Sequence, residues 1–288
     1  MMKWYSKYLS VYEKPFNDAP QYVIDQVREK LKSLQSSDPV ASVVVIAYNE
    51  ERRLLSCLWS LSETKCKYPI EIIGVDNSSS DRTADIFKAT MLPYFTEEKK
   101  SCGYARNRGL QEAKGKYYIC IDADTIYPER YVETVIERLM QPEVVAVSSL
   151  WSYVPSKGYP RYLMFAYELM RDLNLFFLSF KSPERCVRGL VFAYETELGK
   201  KVGYRVNIIR GEDGSMAYGL KQYGKISFIR NRKARAVTST ATITKDGSLR
   251  KAFINRFKNS FRSWRKYFFK TTGEIKDQPD NIVDNDKR

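Results

Sequence analysis

Between Val40 and Trp151 the chain alternates four times between short apolar runs and segments of helical spacing, and this alternation limits the fold more than any other feature. The runs are ASVVVIA from Ala41, IEIIGVD from Ile70, YYICID from Tyr117 and VVAVSSLW from Val144. Each is apolar nearly throughout, as a strand buried on both faces must be. Leu54, Leu58 and Leu61 follow the first run at helical spacing. After the second, SSSDRTADIFKAT offers serines and an aspartate as caps for another helix. GYARNRGLQEAKG reads as a third helix, ending at Gly115 in a left-handed cap, and Pro128 opens a fourth, PERYVETVIERLM. Strand alternating with helix implies an α/β fold: a mainly parallel sheet with helices on both faces. Ligands of such sheets sit beyond the carboxyl ends of the strands. Those ends are Tyr48-Asn49-Glu50, Asp76-Asn77-Ser78 and Asp122-Ala123-Asp124, so one rim is expected to collect them.

The flanks divide the chain into an N-terminal helical extension (1–38), a main domain (39–245) and a basic, aromatic tail (246–288). In the extension, Val23, Val27, Leu31 and Leu34 form one face of a helix opened by Pro20, a face expected to pack on the main body. Beyond Trp151 the pattern loosens. A helix from Tyr162 to Leu178 is rich in Tyr, Phe, Leu and Met, residues expected to enter the core. CVRGLVFAY and ISFI read as strands, and GEDGSMAYGLKQYG as a loop running into a short helix capped at Gly224.

Composition narrows the chemistry. The 288 residues contain no histidine, which removes Ser-His-Asp hydrolysis and His-based zinc proteolysis. Carboxylates, lysines or a metal held by oxygen must then do any catalysis. Five scattered cysteines without a C-x-x-C pair suit reduced thiols and no cysteine-based zinc site. The formal charge of +14 favours a polyanionic partner: nucleic acid, an anionic membrane surface or phosphorylated small molecules. Without an eighteen-residue apolar run or a signal-peptide pattern, the expected location is the cytoplasm, at most peripheral at the inner membrane face.

Asp122 and Asp124 leave a strand end on the same side, about 6.6 Å apart along the chain. Like charges so close repel unless a cation, a proton or solvent relieves them. Neither G-x-G-x-x-G nor a P-loop occurs, which argues against a dinucleotide dehydrogenase or a P-loop nucleoside triphosphatase. What remains is a nucleotide site made of carboxylates and a metal.

On VVVIAYNEE, IIGVDNSSSDRT, GYARNRGLQEAKGKYYICIDADT and GED, in that order over about residues 41 to 214, the chain resembles the family 2 glycosyltransferases of the GT-A fold. The resemblance implies that Ala47, Tyr48 and Glu50 lie along a nucleotide base, that Asp76 binds base or ribose, and that Ser79 sits beside them. Gly103, Ala105, Arg106 and Asn107 would flank base and diphosphate. Asp122-Ala123-Asp124 would be the D-x-D motif, with Asp124 holding Mg²⁺ or Mn²⁺ and Asp122 reaching the ribose or a metal-bound water. Asp213 would be the catalytic base of an inverting transfer, with Glu212 as its positioning neighbour or as the base itself. The chemistry agrees: a departing nucleoside diphosphate gathers negative charge, and hard divalent ions choose carboxylate and phosphate oxygens. GSMAYGLKQ after GED departs from the family's further acid and arginine, and the Q-x-x-R-W signature of processive synthases is absent, so transfer of a single sugar is expected.

From Leu249 to Lys270, Phe253, Phe257, Phe261, Trp264 and Phe268 share one helical face among lysines and arginines. This segment reads either as a core-facing helix with a solvated basic back or, the favoured reading, as an in-plane membrane anchor, which makes the expected acceptor a lipid-linked sugar or a surface glycan. The alternatives are a nucleotidyltransferase, which would release pyrophosphate, and a nucleic-acid-binding protein, for which the chain offers charge but no module.

Overall fold

The computed structural model describes residues 3–155, 161–208 and 210–240. The helix expected over 249–270 lies outside the described residues.

Seven strands form the main sheet: β1 (Ala41–Ala47), β2 (Ile70–Asp76), β3 (Tyr94–Thr96), β4 (Tyr117–Asp122), β6 (Val144–Ser149), β8 (Phe192–Glu195) and β9 (Lys225–Ile229). Their order is β3-β2-β1-β4-β8-β6-β9. All neighbours are parallel except β8, which runs antiparallel between β4 and β6. A second, three-stranded sheet pairs β10 (Ala236–Thr238) with β5 (Thr125–Ile126) and β7 (Trp151–Tyr153). The run VVAVSSLW therefore does not close the set as one strand: it breaks at Leu150 and serves both sheets, and β8 separates it from β4.

Both faces are covered because the apolar positions alternate. Val43 and Val45 of β1 and Ile119 and Ile121 of β4 enter one core layer, whereas Val44, Tyr118 and Cys120 enter the other. The first layer packs α1 (Gln21–Leu34), α2 (Leu54–Ser62), α3 (Thr83–Ala89) and α5 (Tyr131–Leu139). The second packs α4 (Cys102–Glu112), α7 (Thr196–Val202) and α8 (Glu212–Leu220). Val23, Val27 and Leu31 of α1 are buried in the same layer as the sheet, as the stripe predicts. The preceding residues join them: Tyr8, Val11 and Tyr12 are buried against α2 and the strands.

Several local expectations change. α4 ends at Glu112, and Gly115 does not adopt the left-handed conformation. A Cβ at Gly115 would instead lie 2.6 Å from the backbone of Ala41 and Ser42, so close approach of the turn entering β4 to the start of β1 is what excludes a side chain. Gly224 is likewise no left-handed cap: it lies against the Glu143 carbonyl. The serines before α3 do not cap it, and Arg82 occupies the cap position. α5 begins at Tyr131 rather than Pro128, whose carbonyl accepts the Tyr131 N–H. α8 begins at Glu212, so GED is a helix start rather than a loop.

The largest departure concerns α6 (Arg161–Lys181), whose aromatic and aliphatic residues were expected in the core. Only Leu175 among its large apolar side chains is buried, and Tyr162, Phe165, Leu169, Leu173, Phe176 and Phe180 are exposed. No described helix is long and apolar enough to cross a membrane.

Gly115→Ala should destabilise the fold by about 1–3 kcal/mol, because two backbones must separate to admit one methyl group. Urea unfolding checks this, and an unchanged midpoint would show that the strands can part freely.

Candidate functional site

Parallel register builds the rim. Ala47 pairs with Asp76 and Ile46 with Asp122, so the ends of β2, β1 and β4 finish within one residue of each other. The loops that leave them are tied together. Asn49, at φ +53, donates its N–H to the Ser79 hydroxyl (2.9 Å) and accepts the Ser80 N–H on Oδ1 (2.8 Å). Thr83 Oγ1 accepts the Glu50 N–H, and Asp81 accepts those of Glu51 and Thr83. Asp76 is buried and receives the Ser79 N–H at 3.3 Å. Ala47 is buried beneath this rim, while the Tyr48 ring lies half open to solvent with Lys100 Nζ 5.6 Å from its centroid. The expected base-side residues thus share one edge.

α4 meets the rim from the other face. Ser101 caps it by accepting the Tyr104 N–H (3.2 Å), and Gly103 faces the Arg205 carbonyl. Ala105 is buried and Asn107 half-buried. Arg106 is 2% exposed, and its surroundings explain how it tolerates burial. Nη2 donates to Asp122 Oδ1 at 2.8 Å, Nε lies 2.9 Å from Asp213 Oδ1, and Glu212 Oε1 is 3.9 Å away. One guanidinium therefore faces three carboxylates from two motifs about ninety residues apart in sequence. Gly189 completes the packing, since a Cβ there would strike both Arg106 and Asp213.

Asp124 has a different environment. Its carboxylate accepts hydrogen bonds from Thr125 Oγ1 (2.9 Å), Thr238 Oγ1 (3.2 Å) and Ser239 Oγ, and its carbonyl accepts the Tyr12 hydroxyl at 3.4 Å. The antiparallel pairing of Thr238 opposite Thr125 puts these hydroxyls together. Glu50, salt-bridged to Arg53 at 3.0 Å, lies near enough to feel Asp124 and Asp122. Arg53 is held in turn by Glu13 at 2.6 Å. Tyr12, Glu13, Gly189, Thr238 and Ser239 carry no motif; only the fold brings them here.

The electrostatics reflect crowding. Burial, then the charges of Asp124 and Asp122, push the Glu50 carboxyl up to about 7 in spite of Arg53. Asp122 is pushed up to about 6 by burial, with Asp124 and Asp213 adding to it and Arg106 opposing it. Glu212 is raised by burial and by Asp213. Among the described residues no three acidic, histidine or cysteine side chains are grouped so as to hold a metal ion by themselves. The donor set is nevertheless the hard-oxygen kind that divalent cations prefer, and its repulsion is what a cation relieves. These residues fit an ion whose coordination is completed by a phosphorylated ligand.

Residues 42–194, more than half of the chain, match the family described as Glycosyl transferase family 2. The chain belongs to that family. It is similar to an uncharacterized glycosyltransferase, YfnE, of Bacillus subtilis (34% identical over 128 residues, 42% of this chain and 33% of the relative). It is also similar to the glycosyltransferase GlyG of Streptococcus pneumoniae (31% over 124 residues, 41% of each chain). The chain thus spans less than half the length of these relatives. Among solved structures, Staphylococcus aureus TarS 1–349 superposes with a TM-score of 0.56 at 19% identity, over 69% of this chain and 60% of that one. The mannosyltransferase PcManGT of Pyrobaculum calidifontis, in complex with GDP-Man and Mn²⁺, gives 0.52 at 20% identity, over 75% and 64%. At such identities the likeness establishes the GT-A fold.

Two measurements probe the charge balance of this family 2 site. Arg106→Met leaves three acids without their counter-ion and should cost about 3–5 kcal/mol in urea unfolding, with Arg106→Lys recovering part of the loss. For Glu50, a raised carboxyl pKa means that the folded state binds more protons than the unfolded state between about 4.5 and 7. Its contribution is therefore present at low pH and lost as pH rises through that window. Glu50→Gln should melt above the parent near about pH 8, by roughly 1–2 kcal/mol, and lose that advantage near about pH 5. A constant difference across the range would contradict the assignment.

Proposed function

We propose that this chain transfers a single sugar, with inversion, from a nucleoside-diphosphate sugar to a hydroxyl of a lipid-linked or surface-glycan acceptor. The observation that carries the reading is the convergence of Asp122, Asp213 and Glu212 on Arg106, at the carboxyl ends of a parallel sheet, in a member of glycosyltransferase family 2. Structural neighbours captured with UDP, UDP-GlcNAc and GDP-Man support a nucleotide-sugar donor, and those containing Mn²⁺ support a divalent ion, Mg²⁺ or Mn²⁺.

The roles follow from position. Tyr48 offers an exposed aromatic face for the base, and Asp76 and Ser79 lie beside it for base and ribose. Ala47 forms the floor, and Gly103, Ala105 and Asn107 bring the start of α4 to the same edge. Asp124, with Glu50 close by, would hold the ion, which when bound would neutralise the negative charge growing on the diphosphate. Asp122 reaches the ribose side of the site. Arg106, instead of exposing its fork to phosphate, fixes Asp122 and Asp213 relative to each other. Asp213, on a different element from Asp124, removes the acceptor proton from the side opposite the leaving group. Glu212, largely buried in the same first turn of α8, positions it. Base catalysis of this kind contributes about 10²- to 10⁴-fold in rate.

The test is thermal stabilisation by a panel of nucleotide sugars with and without Mn²⁺. One donor should raise the melting temperature, EDTA should remove the effect, and Asp124→Asn should abolish the metal-dependent part. Asp213→Asn should keep donor-dependent stabilisation while losing about 10²- to 10⁴-fold in transfer. Stabilisation by nucleoside triphosphates alone, with release of pyrophosphate, would replace this reading with nucleotidyl transfer.

A further inference from the structure

α6 is an amphipathic helix mounted inside out. The face it turns toward the protein carries its main polar contacts, beside Leu175 and Leu178, which pack on the core. Glu168 accepts from Ser152 Oγ (2.9 Å) and the Tyr153 N–H (2.8 Å), the Arg171 guanidinium lies 4.3 Å over the Trp151 ring, and Asp172 pairs with Arg235. Together with the buried Leu175 these are positions i, i+3, i+4 and i+7 of one stripe. The face turned outward is the apolar one. Tyr162, Phe165, Leu169, Leu173, Phe176 and Phe180 recur at intervals of three and four and make a continuous stripe along the 21-residue helix. Tyr162 is 71% exposed and Phe165 and Phe180 are each 68% exposed. Soluble surfaces seldom leave so long an apolar ridge without a partner.

The end of the ridge is basic. Arg230 stacks on Phe176 and Phe180, 4.7 and 5.0 Å from their centroids, and bonds Ser179. Exposed Lys181, Arg185 and Arg232 lie in the adjoining turns. Glu184, the acid of that stretch, is withdrawn from the surface and paired with Lys221 at 3.0 Å. Aromatic side chains flanked by cations, with no exposed acid beside them among the described residues, complement the boundary between acyl chains and anionic headgroups.

We propose that the outward stripe of α6 docks on an anionic lipid bilayer, lying in the plane of its interface. Helix α6 is not apolar enough to span the membrane. Its C-terminal end runs through Pro183–Cys186 toward Gly189, which packs on Arg106 and Asp213, so a docked helix sets the candidate site beside the membrane surface. The docking stands on this surface alone and does not depend on sugar transfer.

The experiment is co-sedimentation of the full chain, without donor or metal, with phosphatidylglycerol-containing vesicles and with pure phosphatidylcholine vesicles. The full chain should bind the anionic vesicles, less tightly as salt rises, and bind the neutral ones weakly. Phe165→Glu combined with Phe180→Glu should weaken binding by at least about tenfold, with circular dichroism and melting temperature unchanged. Leu169→Glu alone and Arg232→Glu alone, both at exposed positions, should each weaken it in the same direction, so the result does not rest on one variant's folding. Absence of vesicle binding by the parent overturns the proposal. So does binding by folded variants at the parent's strength, which would move the contact to another surface, such as the 249–270 segment. Conversion of a parent dimer to a monomer by these changes, with vesicle binding unaltered, overturns it in favour of a second copy.

Discussion

The candidate site depends on one buried cation. Arg106 stays charged at 2% exposure because Asp122 and Asp213 surround it, and those acids stay close to one another because Arg106 is there. Removing water strengthens both attraction and repulsion, so the cluster has little tolerance for partial occupancy. The fold supports it from several directions. β4 delivers Asp122, α4 delivers Arg106, the first turn of α8 delivers Asp213, and Gly189 leaves the volume the guanidinium needs.

Asp124 sits under a different rule. Three hydroxyls hold its carboxylate and a tyrosine from the N-terminal segment holds its backbone. Neutral donors orient a carboxylate while leaving its charge available, as a cation-binding role requires. Arginines meet the acids at two places, Arg106 beside Asp122 and Asp213 and Arg53 beside Glu50, yet burial and mutual repulsion still raise the Asp122 and Glu50 carboxyls.

Much of this is visible in the chain itself. The strand runs of β1, β2 and β4, the meeting of their acidic ends, and the stripe of α1 follow from periodicity, because a strand buried on both faces admits few other sequences. The antiparallel β8 and the short β5, β7 and β10 are not visible, since three or four residues give no usable period. Gly115 illustrates a subtler failure. A glycine after a helix suggests a left-handed cap, yet here close backbone approach excludes a side chain, and local sequence does not distinguish the two. α6 fails for a related reason: periodicity identifies an apolar face but not the direction in which it points.

Sequence alone determined the chemical vocabulary and the sheet. A chain without histidine, with acids at the ends of three buried strands, leaves catalysis to carboxylates, lysines or an oxygen-held metal and gathers acids at one rim. Tertiary structure decided the pairings: that Arg106 faces Asp122 and Asp213, that Thr238 and Ser239 reach Asp124, and that α6 turns its polar side inward. Those contacts join residues as much as 115 positions apart, and over such separations their closeness depends on how the whole chain packs rather than on any local preference.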